Sequence, residues 1–154
     1  FKYAAKTQLA KPLGGLLLSG LMRQWEGEKI DLLLPVPLHL QKFRNRGFNQ
    51  SYLLIRSWKA IADGMHITLA DMPIYTDVLI RTKATVPQTG LGRRQRLKNV
   101  KGVFSLRFPE IVYGKKLLLV DDVYTTGATV NECARTLLKF GAERVDVLTL
   151  ARAI

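Results

Sequence analysis

Only one of the 154 residues is a cysteine, Cys133, so the chain can close no internal disulfide and holds no cysteine cluster for a metal. That usage fits a reducing, cytoplasmic setting. Long hydrophobic runs are also missing: nothing reaches the roughly 18 residues that a membrane span needs. The stretch LGGLLLSGLM, residues 13–22, is too short and too rich in glycine to serve. It has the look of a signal-peptide core, but no small-residue cleavage site follows and the chain runs on as RQWEGEKID. There is no internal repeat and no low-complexity segment. Beginning at Phe1, the chain reads as a fragment whose natural start lies elsewhere.

Acids are the other scarcity. Asp plus Glu number 12 against 24 Lys plus Arg, a formal charge of +12 and a pI near 10.1. The acids are also unevenly spread. None lies between Asp31 and Asp63, where Lys42, Arg44, Arg46, Arg56 and Lys59 stand, and none between Asp77 and Glu110, where there are eight cations. Such blocks favour a polyanionic partner: nucleic acid, a phosphorylated metabolite or an acidic membrane surface. The remaining composition, with high aliphatic content and dispersed turn-formers, fits one globular domain over residues 1–154.

What is present reads as an α/β chain. Residues 3–22 have helical spacing of leucines broken by Pro12 and the Gly14–Gly15 pair, which predicts two short helices. IDLLLPVP, residues 30–37, is an apolar run closed by prolines, the pattern of a strand buried on both faces, with a loop after it. Residues 47–64 predict one amphipathic helix with Asn49 as N-cap and Gly64 as stop. A strand at residues 77–81 and a turn-rich excursion follow. Next come a short basic helix, RRQRLKNV, and a strand at GVFSL. KKLLLVD predicts a buried strand, TTGATVNECARTLLKFG a loop passing into a helix, and RVDVLTLARA a last strand, together a βαβ unit. The expected architecture is a mainly parallel, twisted sheet flanked by helices, with a helical part at residues 1–29 and a mobile basic region at residues 82–100.

The stretch LLLVDDVYTTGAT, residues 117–129, carries the chemistry. In open α/β sheets ligands bind at the carboxyl ends of the strands, where this run delivers Asp121 and Asp122. The helix that follows presents unpaired amides and a positive dipole end, to which Thr125, Thr126 and Thr129 add hydroxyls. Gly127 lets backbone approach an oxyanion closely. Two adjacent acids would repel that anion unless they hold a cation or accept hydroxyl protons. A sugar phosphate with a cis-diol and a magnesium ion meets both demands. Side-chain capping of the turn and helix accounts for one Asp and one Thr, but not for the whole set. No G-x-x-x-x-G-K-[ST] occurs, and GLGRRQ has Gln95 where a dinucleotide fingerprint needs its third glycine.

LLLVDDVYTTGAT closely resembles the 5-phosphoribosyl 1-diphosphate (PRPP) motif of type I phosphoribosyltransferases. The resemblance implies that Asp121 and Asp122 hold the ribose diol, with magnesium reaching them through the substrate. It also implies that Thr125, Thr126, Gly127, Ala128 and Thr129 wrap the 5-phosphate. PVPLHLQKFRNRGFNQSYLL (residues 35–54) and RTKATVPQTGLGRRQRLKNVKGVF (residues 81–104) are similar to the other two blocks of the ComF/GntX group within that fold. By this resemblance Val36, Pro37, Leu38 and His39 offer backbone to the pyrophosphate, with Arg44 and Arg46 neutralising its charge. The two arginines serve equally well as a solvated helix surface. Arg81, Thr82, Lys83 and Gln88 fall in the mobile loop that closes over the ribosyl centre. Full-length members of the group usually begin with a zinc-binding segment. That segment is missing here, so any zinc belongs to a part outside this sequence.

Three functions stay open. One is a magnesium-dependent transferase of a nitrogen acceptor onto PRPP, whose acceptor the sequence does not identify. Another, implied by the ComF resemblance, is the handling of incoming single-stranded DNA in natural competence and transformation, with helicase and recombination proteins as partners. For that role Lys42, Arg93, Arg94, Arg96 and Lys98 are the candidate nucleic-acid contacts, with Phe104 and Phe108 nearby. A third is a non-catalytic PRPP sensor. His39 and His66 have no metal partner at a recognisable spacing and read as structural or surface residues, and Cys133 as a small core residue.

Overall fold

The computed structural model describes residues 4–25, 27–69, 71–83 and 92–153. Strand β4 (Lys116–Tyr124) is the middle of a parallel three-stranded sheet, between β1 (Leu32–Pro35) and β5 (Arg144–Arg152). Its side chains alternate between two cores. Leu117 and Leu119 join Leu32, Leu34, Cys133 and Leu137 on one face, and Leu118 and Val120 join Leu33, Leu54, Ile55 and Trp58 on the other. Because both faces are covered, the run must be apolar at every position, and residues 117–120 are all 0% exposed. Each such side chain contributes roughly 1.5–3 kcal/mol by burial.

Helices supply the covers. A 3-10 turn (Ala4–Leu9) leads into α1 (Ala10–Gln24), and α2 (Leu40–Arg46), α3 (Gln50–Ile55) and α4 (Trp58–Gly64) follow β1. A separate antiparallel pair, β2 (Leu79–Arg81) and β3 (Phe104–Leu106), brackets α5 (Arg93–Val100). A short α6 (Pro109–Val112) precedes β4, and α7 (Ala128–Lys139) joins β4 to β5, completing the expected βαβ unit. Gly141, at φ +90°, follows α7.

Three local expectations are corrected. The N-terminal segment is one α-helix after its 3-10 turn, not two helices broken at Pro12 and the glycines. Pro12 sits in the first turn, where its missing N–H costs no helical bond. Gly14 is where α1 meets α3: a Cβ there would collide with the Leu54 carbonyl oxygen. The single helix expected over residues 47–64 is instead two, α3 and α4, with Arg56 and Ser57 between them. The break lets Trp58 lie fully buried with its Nε1 donating to the Gly14 carbonyl at 3.0 Å. The loop expected after β1 is present at residues 36–39 and leads into α2, started by His39, whose Nδ1 accepts the Gln41 N–H at 3.3 Å. Finally β4 does not end at the acids. It stays paired to β5 through Tyr124, opposite Arg152.

Candidate functional site

The N-terminus of α3 reaches the carboxyl end of β4. Asn49 caps α3, its Oδ1 accepting the amides of Ser51 (3.0 Å) and Tyr52 (3.5 Å), while its Nδ2 donates to the Val36 carbonyl at 3.0 Å. This locks α3 onto the end of β1 and aims Ser51 Oγ at Asp121 Oδ1, to which it donates at 3.1 Å. The same oxygen accepts the Asp122 amide at 3.0 Å. Burial, then the charge of Asp122, push the Asp121 carboxyl up to about 7, against the pull of these two hydrogen bonds. A buried acid held so far above its ordinary value favours company: a cation, or hydroxyls that donate to it. Among the described residues there is no group of three or more His, Cys, Asp or Glu that holds a metal alone.

Arg81 reaches toward this corner from β2. Burial lowers its pKa, which Cys133 and Asp121 oppose, and its guanidinium lies 5.5 Å from the centre of the Phe104 ring. Beyond the acids, Gly127 stands at φ +74° as the N-cap of α7, and no side chain caps that helix. The N-cap position itself offers no side chain for that role. Thr126 Oγ1 is buried without a hydrogen-bond partner, Thr125 is exposed, Thr129 is half-buried, and Ala128 is buried as the first helical residue. Tyr124 folds over the loop, so that a Cβ at Gly127 would lie 2.8 Å from its Cζ, and Arg152 sits 5.8 Å from the Tyr124 ring centre.

Of the four β1-loop residues expected to offer amides, Val36 spends its own on the Val120 carbonyl at 2.8 Å and Pro37 has none. Leu38 and His39 remain as donors. Arg44 and Arg46, two apart on α2, cannot share a face. Arg44 joins Pro37, Leu38, His39, Arg81 and Thr82 around a cavity of about 840 Å³, and Arg46 is not among its lining residues. Thr82 also hydrogen-bonds the Val103 carbonyl through its amide and hydroxyl. Lys83 is exposed, whereas Gln88 and most of the expected closing loop lie outside the described residues. Arg93, Arg94, Arg96 and Lys98 belong to α5, on which Arg94 and Lys98 are exposed one turn apart. The side chains of Lys42, Arg93 and Arg96 lie outside the described ones.

Ser51, Tyr124, Phe43, Tyr52 and Arg107 escaped the sequence reading. Ser51 and Tyr52 had a signal in their place just after the Asn49 cap, and Tyr124 in its place within LLLVDDVYTTGAT. Phe43 and Arg107 are assembled by packing.

Residues 61–154 match the family model described as phosphoribosyl transferase domain. The chain is 35% identical over 156 residues to the DNA utilization protein YhgH of Escherichia coli K12, covering 99% of this chain and 64% of that protein. It is 38% identical to Competence protein F of Haemophilus influenzae, covering 80% of this chain and 51% of that one. With Competence protein ComFC of Streptococcus pneumoniae it shares 32% identity over 76% of its length and 46% of the relative's. The chain thus spans less than two thirds of the length of these curated relatives. Among solved structures, glutamine PRPP amidotransferase from B. subtilis, complexed with ADP and GMP, superposes with a TM-score of 0.50 at 20% identity. That alignment covers 92% of this chain and 26% of the enzyme, a likeness of fold.

Proposed function

Since this chain belongs to the phosphoribosyl transferase domain family, we propose that its β4–α7 edge binds PRPP with magnesium, within a protein that serves DNA uptake and use. The observation that carries the ligand reading is the pairing of two facts within a span of nine residues. A half-buried, charge-crowded Asp121–Asp122 corner stands beside an α7 N-terminus whose N-cap glycine offers no side chain, with an unpartnered Thr126 hydroxyl. In this reading the ribose hydroxyls donate to the carboxylates, and the loop amides and threonine hydroxyls hold the 5-phosphate. Leu38 and His39 amides with Arg44 face the pyrophosphate.

Magnesium fits this donor set only with the substrate's help, because two carboxylates plus phosphate oxygens are its usual company. Bound there, it would neutralise charge on the leaving pyrophosphate. Asp121 and Asp122 would stabilise the positive charge that gathers on the sugar as its bond to pyrophosphate lengthens. If turnover occurs, an acceptor nitrogen lone pair forms the new bond to the anomeric carbon. Pyrophosphate departs with the electron pair of the broken C–O bond, and the acceptor's proton passes to solvent.

The DNA role draws on the names of the relatives and on the charge. Arg94 and Lys98 project from α5, which contains no acid, and the chain carries +12 overall. No helix among the described residues is long and apolar enough to cross a membrane. Calorimetry with PRPP and magnesium tests the ligand. Binding should be lost when Asp121→Asn and Asp122→Asn are combined, and equal binding by that variant sinks the assignment. Pyrophosphate release on screening nitrogen acceptors separates enzyme from sensor. Single-strand affinity that ignores both salt and Arg94→Ala with Lys98→Ala removes α5 from the DNA role.

A further inference from the structure

The 840 Å³ cavity beside the acid corner has more to offer than a pyrophosphate can use. It lies between the β1–α2 loop, the inner side of α2, the start of α3, and β2 with Arg107. None of the PRPP-loop residues 121–129 lines it. Its walls combine two aromatic rings, Phe43 and Tyr52, and the aliphatic Leu38, Leu79 and Ile80 with three guanidiniums, Arg44, Arg81 and Arg107. No acid is among the lining residues, and among the described residues neither Arg44 nor Arg107 is in an ion pair. Phe43 is 44% exposed, so its ring is presented outward and not consumed by the core.

Each part of that lining asks for a different part of a ligand. Aromatic and aliphatic walls take a flat apolar ring, to which pyrophosphate has nothing to offer. The guanidiniums of Arg44 and Arg107 take an anion with several oxygens, and arginine's planar fork suits phosphate in two-point contact. The volume lies inside the roughly 300–1,000 Å³ of small-molecule sites. We infer that this cavity binds a nucleotide, a planar base carrying a phosphate, either as a free molecule or as the end residue of a single nucleic-acid strand. Arg81 stands at the boundary, lining the cavity while interacting with Asp121. A base seated there lies next to the proposed ribosyl site. The inference goes beyond the PRPP reading: the cavity shares Leu38, His39 and Arg44 with the proposed pyrophosphate end and adds Phe43, Tyr52 and Arg107.

The test uses the whole chain with thymidine 5′-monophosphate, inorganic pyrophosphate and 5′-phosphorylated hexathymidylate as probes in calorimetry. Thymidine monophosphate should bind, and Phe43→Ala should weaken it at least tenfold while leaving pyrophosphate binding unchanged. Arg107→Ala should weaken thymidine monophosphate as well. Both residues are exposed, so circular dichroism should show both variants folded. A hexathymidylate that binds more tightly than the monophosphate, with the same Phe43 dependence, identifies a strand end as the occupant. Equal or weaker binding identifies the free nucleotide. No monophosphate binding, or binding indifferent to both substitutions, overturns the inference. Protein that binds thymidine monophosphate but not PRPP sinks the PRPP reading alone, and the reverse pattern sinks this one alone.

Discussion

At the end of β4 two carboxylates share a half-buried corner, and behind the end of β1 three arginines and a histidine rim a cavity that no acid lines. The two regions were built at different cost to the fold. Asp121 is held against its own preference for solvent, because burial and a like charge both oppose its ionisation. Arg44 and Arg107 remain exposed and give up little hydration. The lesson is that the acid corner trades stability for a site, whereas Arg44 and Arg107 on the rim are electrostatically nearly free and Arg81, whose pKa burial lowers, shares the cost of the corner. Substitutions should separate the two.

The largest effect follows from Asp121. Its folded value of about 7 lies above the ordinary 3.8 of an aspartate. Between those values the native state holds a proton that the unfolded chain has released, so stability falls as pH rises from about 4 to about 7. At pH 8 the full loss is at most about 4 kcal/mol. Asp121→Asn keeps an acceptor for Ser51 and removes the charge. Urea denaturation should therefore show the variant's advantage over wild type growing from pH 5 to pH 8, by up to about 3 kcal/mol. A constant difference across that range would mean that the corner is not under charge strain.

Next in size is ligand binding at the same corner. Replacing both acids by Asn should lower affinity for PRPP with magnesium at least about 100-fold, or about 2.7 kcal/mol, as read by calorimetry. Gly127→Ala comes third. The φ of +74° costs a side chain on the order of 1–2 kcal/mol, and the new Cβ must push Tyr124 aside. Because the far end of Tyr124 can swing away, the loss should stay near that figure in chemical denaturation. PRPP affinity should fall as the loop shifts. An unaltered affinity would detach the loop's shape from binding.

How much of this was written locally explains what the sequence disclosed. The acid corner and its loop occupy thirteen consecutive residues, so order and spacing expose them directly. The continuous apolar run of β4 announces a strand covered on both faces, and the structure covers it on both. Elsewhere tertiary contacts overrode local signals. Gly14 reads as a helix breaker until the Leu54 carbonyl appears against it, and the spacing of residues 47–64 conceals a break that serves Trp58. Ser51 reaches Asp121 across 70 positions. The cavity draws on residues 37–52, 76–82 and 107, with no motif joining them.

The smallest effect completes the contrast. Arg44→Ala and Arg107→Ala should each change unfolding free energy by no more than about 0.5 kcal/mol, as exposed side chains outside any special contact do. Neither is in an ion pair among the described residues, and neither helps to cover the core. Their denaturation curves should also keep the wild-type dependence on pH, since the group that creates it is Asp121. A loss of several kcal/mol from either would show that the rim is part of the scaffold. The cavity would then be a by-product of packing, whereas unchanged stability with weakened nucleotide binding marks side chains kept for a ligand.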